Sequence, residues 1–111
     1  MGEIALVYVL FGNRKLAEAT AQGMIAHRLA ACANVLAEGC SIYPWQGAIE
    51  KANETPVLFK TTPDRCEALM QTLAQTHDYD LPAILSWPAR TTAAYAAWVK
   101  EQTLPEGIDQ G

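Results

Sequence analysis

The fold of this chain follows from residues 33–61, ANVLAEGCSIYPWQGAIEKANETPVLFKT, in which two apolar-rich runs flank a Gln46-Gly47 pair. Such runs predict strands, and a short glycine-containing pair between them predicts a tight turn with Gly47 at a positive φ. Residues 33–45 and 48–61 are therefore predicted to form an antiparallel hairpin. Pro44 and Pro56 each remove a backbone donor, so each is expected at a bulge or on an edge.

The predicted hairpin is longer than the domain that carries it. Its first strand would extend over roughly 43 Å, whereas a compact domain of this size is about 35 Å across. The overhanging end carries Ile42, Tyr43 and Trp45, and large apolar groups left in water promote aggregation. A partner subunit would cover them, which makes these three residues the predicted oligomer interface. The alternative is a strand that bends at Gly39 and Pro44 and folds onto its own core.

Two further strands are predicted outside the hairpin. Residues 3–11 (EIALVYVLF) form a short, continuous apolar run that is typical of a buried central strand. Residues 83–87 (AILSW) predict a last strand, which Pro88 is expected to end.

Three helices are predicted from their caps and apolar stripes. Asn13 caps the first, Thr62 begins the second ahead of Pro63, and Thr91 or Thr92 caps the last. Each helix has one side expected to face the sheet. These sides consist of Ala17, Ala21, Met24, Ile25 and Arg28; of Cys66, Leu69, Met70, Leu73 and His77; and of Tyr95, Trp98 and Val99.

The resulting order is β-α-β-β-α-β followed by a C-terminal helix. Two such split βαβ units predict an α+β protein with a ferredoxin-like sandwich, in which helices cover one face of an antiparallel sheet. Residues 1–104 are predicted to form a single domain. Residues 105–111, where glycine, proline and acidic residues gather, are predicted to be a flexible tail.

Composition excludes several functional classes. The net charge is −4 and no Lys/Arg cluster is present, so binding to nucleic acids or anionic membranes is not expected. No stretch reaches the roughly 20 apolar residues of a membrane span. Residues 1–11 lack the basic start of a signal peptide, so we expect a cytoplasmic protein. The cysteines form no C-x-x-C pair and are expected to be free thiols.

Several segments resemble the divalent-cation tolerance (CutA) family, in order and at the family's spacing. Residues 29–34 (LAACAN) resemble its LAAC(A/V)N segment, and residues 41–47 (SIYPWQG) resemble the S-(I/L)-Y-x-W-(E/Q)-G tip of its hairpin. Further matches are Lys60-Thr61 closing the third strand, His77-x-Tyr79-x-x-Pro82, and Tyr95-x-x-Trp98 in the last helix. The resemblance extends from the first strand to the last helix.

This resemblance implies a homotrimer built by exchange of hairpins, linked to copper and divalent-cation tolerance rather than to catalysis. The trimer of this family is similar to that of the PII signalling proteins. A regulatory module that binds a metabolite between subunits is therefore the alternative function. The chain departs from the family at three positions: Phe11 replaces a frequent cysteine or threonine, Asp78 a proline, and Ala83 a glutamate.

His77 is the strongest candidate metal ligand, because imidazole binds copper and zinc well. Its position at a helix end also suits a structural cap, and the sequence leaves both roles open. Asp78 can orient the ring or supply a carboxylate ligand, and Cys32 offers a soft ligand for copper. The predicted site is His77, Cys32 and Asp78, with weak binding of Cu(II) or another divalent cation. His27 is interpreted as a surface residue.

No nucleophile–base pair or catalytic motif is present in the sequence, so no enzymatic activity is expected. Asn13 and Arg14 follow the first strand at a helix N-terminus, which makes them a candidate anion site. A small hydrolase of the acylphosphatase type is a third reading of the fold. It would need an arginine in a glycine-rich phosphate loop, which residues 12–14 (GNR) resemble only faintly.

Overall fold

A computed structural model of the chain describes residues 1–105, so the tail predicted for residues 105–111 lies outside the described residues except for Pro105. The described elements follow the predicted order, with one additional strand. They are β1 (Gly2–Phe11), α1 (Arg14–Ala26), β2 (Cys32–Val35), β3 (Gly39–Trp45), β4 (Ala48–Thr61), α2 (Pro63–Thr76), β5 (Ile84–Thr91) and α3 (Ala93–Gln102).

The strands form one antiparallel sheet in the order β2-β4-β1-β5, and β3 pairs with the first half of β4. The central strand is β1, in which Val7 lies opposite Phe59 of β4 and Ser86 of β5. This topology confirms the predicted ferredoxin-like α+β sandwich with an extended hairpin.

The main core lies between this sheet and helices α1 and α2. Alternate residues of a strand face opposite sides of the sheet, and the core side of β1 and β4 is apolar except for the buried Thr55 and Thr61 of β4. From α1, the predicted Ala17, Ala21 and Met24 are buried, whereas Ile25 is exposed and ends the stripe earlier than predicted. The cluster consists of Val7, Val9, Phe11, Ala17, Ala21, Met24, Ala30, Val57, Phe59, Leu69 and Leu73.

The C-terminal helix α3 packs on the other face of the sheet. Lys60 follows the core residue Phe59 and therefore points to the opposite side, where its Nζ lies 5.8 Å from the centre of the Tyr95 ring. A Cβ at Gly2 would collide with the Cβ of Ala96 in α3. A glycine at the start of β1 therefore permits the close approach of this helix.

The hairpin projects from the body as an arm, which we define as residues 39–54. The molecule measures 56 × 28 × 21 Å, and its radius of gyration of 15.2 Å exceeds the roughly 13 Å of a compact domain of this length. Gln46 and Gly47 turn the chain with φ of 50° and 84°, as in a type I′ turn. The predicted positive φ at Gly47 is therefore confirmed, and the chain does not fold back onto its core.

The strand predicted over residues 33–45 is interrupted at residues 36–38, which corrects the prediction of one continuous strand. The Leu36 N–H donates to the Pro56 carbonyl at 2.9 Å, but Pro56 has no N–H to return the bond to the Leu36 carbonyl. Arg14 supplies this missing donor, since its Nη1 lies 3.3 Å from that carbonyl. Pro56 thus marks the point where the arm leaves the body.

The last strand continues through Pro88, which was predicted to end it. The Leu10 N–H donates to the Ala83 carbonyl, so odd-numbered residues of β5 turn their backbone groups towards β1. Pro88 therefore directs its nitrogen to the outer edge, where no ladder bond is lost.

Candidate functional site

The arm exposes the residues predicted as the oligomer interface. Ile42 is 64% exposed, Trp45 is 47% exposed, and Tyr43 and Ile49 are also exposed. None of these four residues belongs to the core of the described chain. Large apolar side chains on both strands of a projecting hairpin are typical of a surface that a second chain covers.

A cavity of about 630 Å³ lies between the arm and the loop that follows α2. We call it the arm cleft. Its walls are mainly apolar, and its charged groups are carboxylates. Its lining includes Ile42, Tyr43, Trp45, Glu54, Tyr79 and Asp80. A groove of about 690 Å³ between α2 and β5 is lined by Cys66 and Met70, but the charged group beside it, Glu67, is exposed.

Glu54 is the buried acid of the arm cleft. It is only 7% exposed, and its Oε2 accepts a hydrogen bond of 3.1 Å from the Tyr79 hydroxyl. Tyr79 itself lies over Gly12, where an added Cβ would come 3.2 Å from the phenolic oxygen. The pair joins the base of the arm to the loop after α2, across 25 positions of sequence.

This environment raises the pKa of Tyr79 to about 12. The largest cause is burial, followed by the hydrogen bond to Glu54 and by the negative charges of Glu54 and Asp78. All three disfavour the phenolate. Tyr79 therefore stays a neutral hydrogen-bond donor through the neutral range.

A tyrosine that ionises late has a measurable effect on stability. Because the folded-state pKa exceeds the unfolded value, Tyr79 stabilises the fold below about pH 10, and this contribution is lost as the pH rises towards about 12. We expect a tyrosinate absorbance phase near pH 12 that Tyr79→Phe removes and the control Tyr95→Phe retains. A Tyr79 phase near pH 10 would contradict this assignment.

His77 lies behind the cleft, with its side chain fully buried and stacked on Phe11 at 4.9 Å between ring centres. Its Nε2 donates to the Leu10 carbonyl at 2.8 Å, and its Nδ1 accepts from the Tyr79 N–H at 3.0 Å. A carbonyl only accepts and an N–H only donates, so these contacts fit the neutral ring protonated on Nε2. His77 is the C-cap residue of α2, although its ring bonds to β1 rather than to the helix.

The structure places Asp78 beside His77, with Oδ1 3.3 Å from Nδ1 and a side chain that is 60% exposed. With Nδ1 already accepting from Tyr79, this contact is a close approach rather than an ion pair. Throughout the described part of the chain, no three His, Cys, Asp or Glu residues form a group able to hold a metal. The metal site therefore stays a prediction.

Cys32 is not brought to His77 within one chain. Cys32 pairs with Lys60, which pairs with Leu6 of β1, whereas His77 contacts Leu10. Leu6 and Leu10 are four residues apart, which corresponds to about 13 Å along the strand. Cys32 is further separated from β1 by two strand spacings, because β4 lies between β2 and β1.

The predicted anion site uses its polar groups for local structure. Asn13 Oδ1 accepts from the Leu16 N–H at 2.8 Å, which confirms Asn13 as the cap of α1. Arg14 contacts the Leu36 carbonyl, as described above, and pairs with Glu18 at 3.6 Å. Anion binding by Asn13 and Arg14 remains a prediction. His27 is exposed, as predicted from its position on α1.

Sequence reasoning did not assign Glu54 to a site. Glu54 lies in the polar part of β4, next to Thr55, which is buried. In a strand that alternates between buried and exposed residues, the neighbour of a buried residue is expected to be exposed. The one available signal was Tyr79, which belongs to the His77-x-Tyr79 motif, but nothing in the sequence connects it to Glu54.

Comparisons with known proteins identify the family. A family model described as CutA1 divalent ion tolerance protein matches residues 5–102. The chain belongs to the CutA1 divalent ion tolerance family. This confirms the resemblance noted in the sequence, and the family's description refers to tolerance of divalent ions and to no reaction.

Individual CutA proteins are similar over most of this chain. The divalent-cation tolerance protein CutA of Thermus thermophilus is 33% identical over 93% of this chain and 99% of its own length. The protein CutA of Homo sapiens is 30% identical over 92% of this chain and 58% of its own length. The chain spans between 54% and 66% of the length of the animal and plant relatives that it matches.

Solved CutA structures share the fold. The CutA1 crystal structure from Ehrlichia chaffeensis has a TM-score of 0.88 at 28% identity, and the alignment covers 94% of this chain and 98% of that one. In the described residues, no helix is long and apolar enough to cross a membrane.

Proposed function

We propose that this CutA chain acts as a cytoplasmic homotrimer in divalent-cation tolerance, with no enzymatic activity and with an ion or small-molecule site at the clefts between subunits. One observation carries the proposal. The arm projects from the body and exposes Ile42, Tyr43, Trp45 and Ile49.

An arm of this kind is stabilised by contact with other copies. In the described chain, β3 pairs only with β4 and β5 pairs only with β1, so each has one free edge. Free edges flanked by apolar side chains favour pairing with another chain. The resemblance of residues 41–47 to the CutA hairpin tip supports three copies that exchange their arms.

Light scattering at micromolar concentration tests the assembly. Three chains of 12.1 kDa give about 36 kDa, and the contacts are expected to bury more than about 2,000 Å² in total, as in obligate interfaces. A mass near that of one chain would contradict the proposal.

The absence of catalysis is supported by the surroundings of the reactive side chains. Nucleophilic catalysis needs a base within hydrogen-bonding distance of the nucleophile. Cys32 and Cys66 have their described sulfur contacts with Asn34 and Met70, and neither partner is a base. His77 is buried, with both ring nitrogens engaged.

Weak Cu(II) binding fits the contacts of His77. A metal at Nδ1 would have to displace the Tyr79 N–H, and among the described residues of one chain only Asp78 lies close enough to add a second ligand. Copper sites that bind tightly use three or four ligands. Cys32 contributes only if a neighbouring subunit brings it close.

The copper proposal predicts a specific titration result. Cu(II) added to the wild type should bind more weakly than micromolar, and Asp78→Asn should weaken it further, because this exposed residue is the nearest second ligand. Isothermal calorimetry measures both, with Asp64→Asn, a carboxylate in the first turn of α2, as the control. Submicromolar binding that Asp78→Asn leaves unchanged would contradict the proposal.

A further inference from the structure

Two sulfur atoms meet in the groove between α2 and β5. Cys66 and Met70 are four residues apart on α2, so their side chains lie on the same face of the helix. The Cys66 thiol donates to the Met70 thioether, with 3.9 Å between Sγ and Sδ. Cys66 is a free thiol, and both residues are half-buried in the lining of the groove. The pair therefore borders the core without being sealed inside it.

The spacing of the two sulfur atoms fits a metal ion bound between them. With metal–sulfur bonds of about 2.3 Å, a separation of 3.9 Å corresponds to an S–metal–S angle of roughly 115°. This angle is close to that of a planar, three-coordinate ion. A third ligand, such as water or a small thiol, would enter from the groove, whose volume is about 690 Å³. The thiol releases its proton as the metal–sulfur bond forms.

The ligand types favour a soft ion over a hard or borderline one. Thiolate and thioether sulfurs select Cu(I) among the biological metals. Across residues 1–105, no three His, Cys, Asp or Glu side chains come together, so a divalent ion lacks the ligand set that it requires. Glu67, the carboxylate of the groove lining, is exposed, and it accepts a hydrogen bond from the Gln71 amide at 3.4 Å.

The surroundings favour a monovalent charge. Pro63, Ala74, Pro82 and Ile84 make most of the groove lining apolar, and an uncompensated charge is unfavourable in such surroundings. One thiolate and one monovalent cation form a neutral pair, whereas a divalent ion on the same two sulfurs would leave a positive charge. Charge and softness therefore point to the same ion.

We propose that Cys66 and Met70 bind one Cu(I) ion in the groove between α2 and β5. The site goes beyond the proposed function, because its residues, its place in the fold and the oxidation state of its metal differ from those of the Cu(II) site at His77 and Asp78. Both ligands belong to α2 and neither to the arm. With two protein ligands the ion exchanges readily, so it is not expected to survive purification without added metal.

Alkylation of the assembled wild-type protein tests access to the site. Iodoacetamide should modify Cys66 in the metal-free protein, and one equivalent of Cu(I), supplied as its acetonitrile complex under nitrogen, should protect it. Peptide mass spectrometry identifies the modified cysteine. If Cys66 stays unmodified without metal, neighbouring chains close the groove and the proposal is wrong. Modification that Cu(I) does not slow would also overturn it.

Competition with the Cu(I) chelator bicinchoninate tests the two ligands. In Cys32→Ser/Cys40→Ser, the one remaining thiol of the sequence is Cys66. Adding Met70→Leu, which keeps a similar apolar volume, should weaken Cu(I) binding about tenfold or more, because it removes one of two ligands. The control is Met24→Leu in the same background, which changes a buried methionine of α1 and should have no effect. Equal affinity with and without Met70 would show a thiol binding alone and would overturn the proposal.

Two further measurements test the identity of the site and its selectivity. Cys66→Ser in the same background should abolish competition with bicinchoninate, and retained Cu(I) binding would place the ion elsewhere. Zn(II) at a concentration equal to that of Cu(I) should not protect Cys66 from iodoacetamide, since it lacks ligands and would leave a net charge. Protection by Zn(II) as complete as that by Cu(I) would contradict a soft, monovalent site.

Discussion

Replacing both Tyr43 and Trp45 by aspartate is expected to convert the protein from a trimer into a monomer of 12.1 kDa. Both side chains are exposed on the arm and contribute nothing to the core of the chain. In an assembly that buries them, each aspartate would place an unpaired charge in an apolar contact, which costs several kcal/mol. Six such charges in a trimer would abolish association.

The expected monomer is identified by light scattering together with circular dichroism. Because the arm lies outside the core, the secondary structure of the body should be retained. The matched control is Trp98→Asp, which changes an exposed aromatic residue on α3 instead of the arm and should leave the mass near that of three chains. A double variant that keeps the wild-type mass would place the interface elsewhere.

Phe11→Ala is expected to lower the free energy of unfolding by about 3–5 kcal/mol, the cost of removing a buried aromatic side chain. Phe11 is fully buried in the core, and its ring stacks on His77. The substitution would leave a cavity beside the His77 ring. This ring joins the end of α2 to β1 through its hydrogen bond to the Leu10 carbonyl. The large effect thus combines lost packing with a weakened anchor for the loop that holds Tyr79.

Urea unfolding at one fixed protein concentration measures this change, because dissociation and unfolding are coupled in an oligomer. Phe11→Leu is the control, since it keeps an apolar group of similar size and should cost less than about 1.5 kcal/mol. A loss below about 1 kcal/mol for Phe11→Ala would show that the site is not tightly packed.

Local sequence signals predicted most of the fold. Thr62 was predicted as the cap of α2, and Thr91 or Thr92 as the cap of α3. The hydroxyl oxygens of Thr62 and Thr92 accept from the N–H groups of Arg65 and Tyr95 at 3.2 Å. The arm was predicted from strand length and from the Gln46-Gly47 turn. Caps and turns depend on neighbouring residues, so the sequence contains the information needed to predict them.

The strand boundaries that were predicted wrongly depend on distant residues. The break at residues 36–38 begins at Leu36, whose carbonyl receives no hydrogen bond from Pro56. Arg14, which is 22 positions away in sequence, contacts this carbonyl instead. Pro88 is tolerated because β5 is an edge strand. Neither the partner of a carbonyl nor the edge position of a strand is visible in a local pattern.

The candidate site shows the same limit. His77 was recognisable by residue type, but its role depends on contacts with Leu10 and Phe11, which are more than 60 positions away in sequence. Glu54 became a candidate only when the fold buried it and brought the Tyr79 hydroxyl within hydrogen-bonding distance of it. Burial converts an ordinary strand glutamate into a group whose charge needs a partner.

A native mass spectrum of the protein purified without added metal tests the central claim most directly, because it reports the number of chains and any retained ion together. The account predicts a dominant species of three chains, about 36 kDa, with no metal retained, since the predicted copper site is weak. A dominant single chain of 12.1 kDa at micromolar concentration would contradict it.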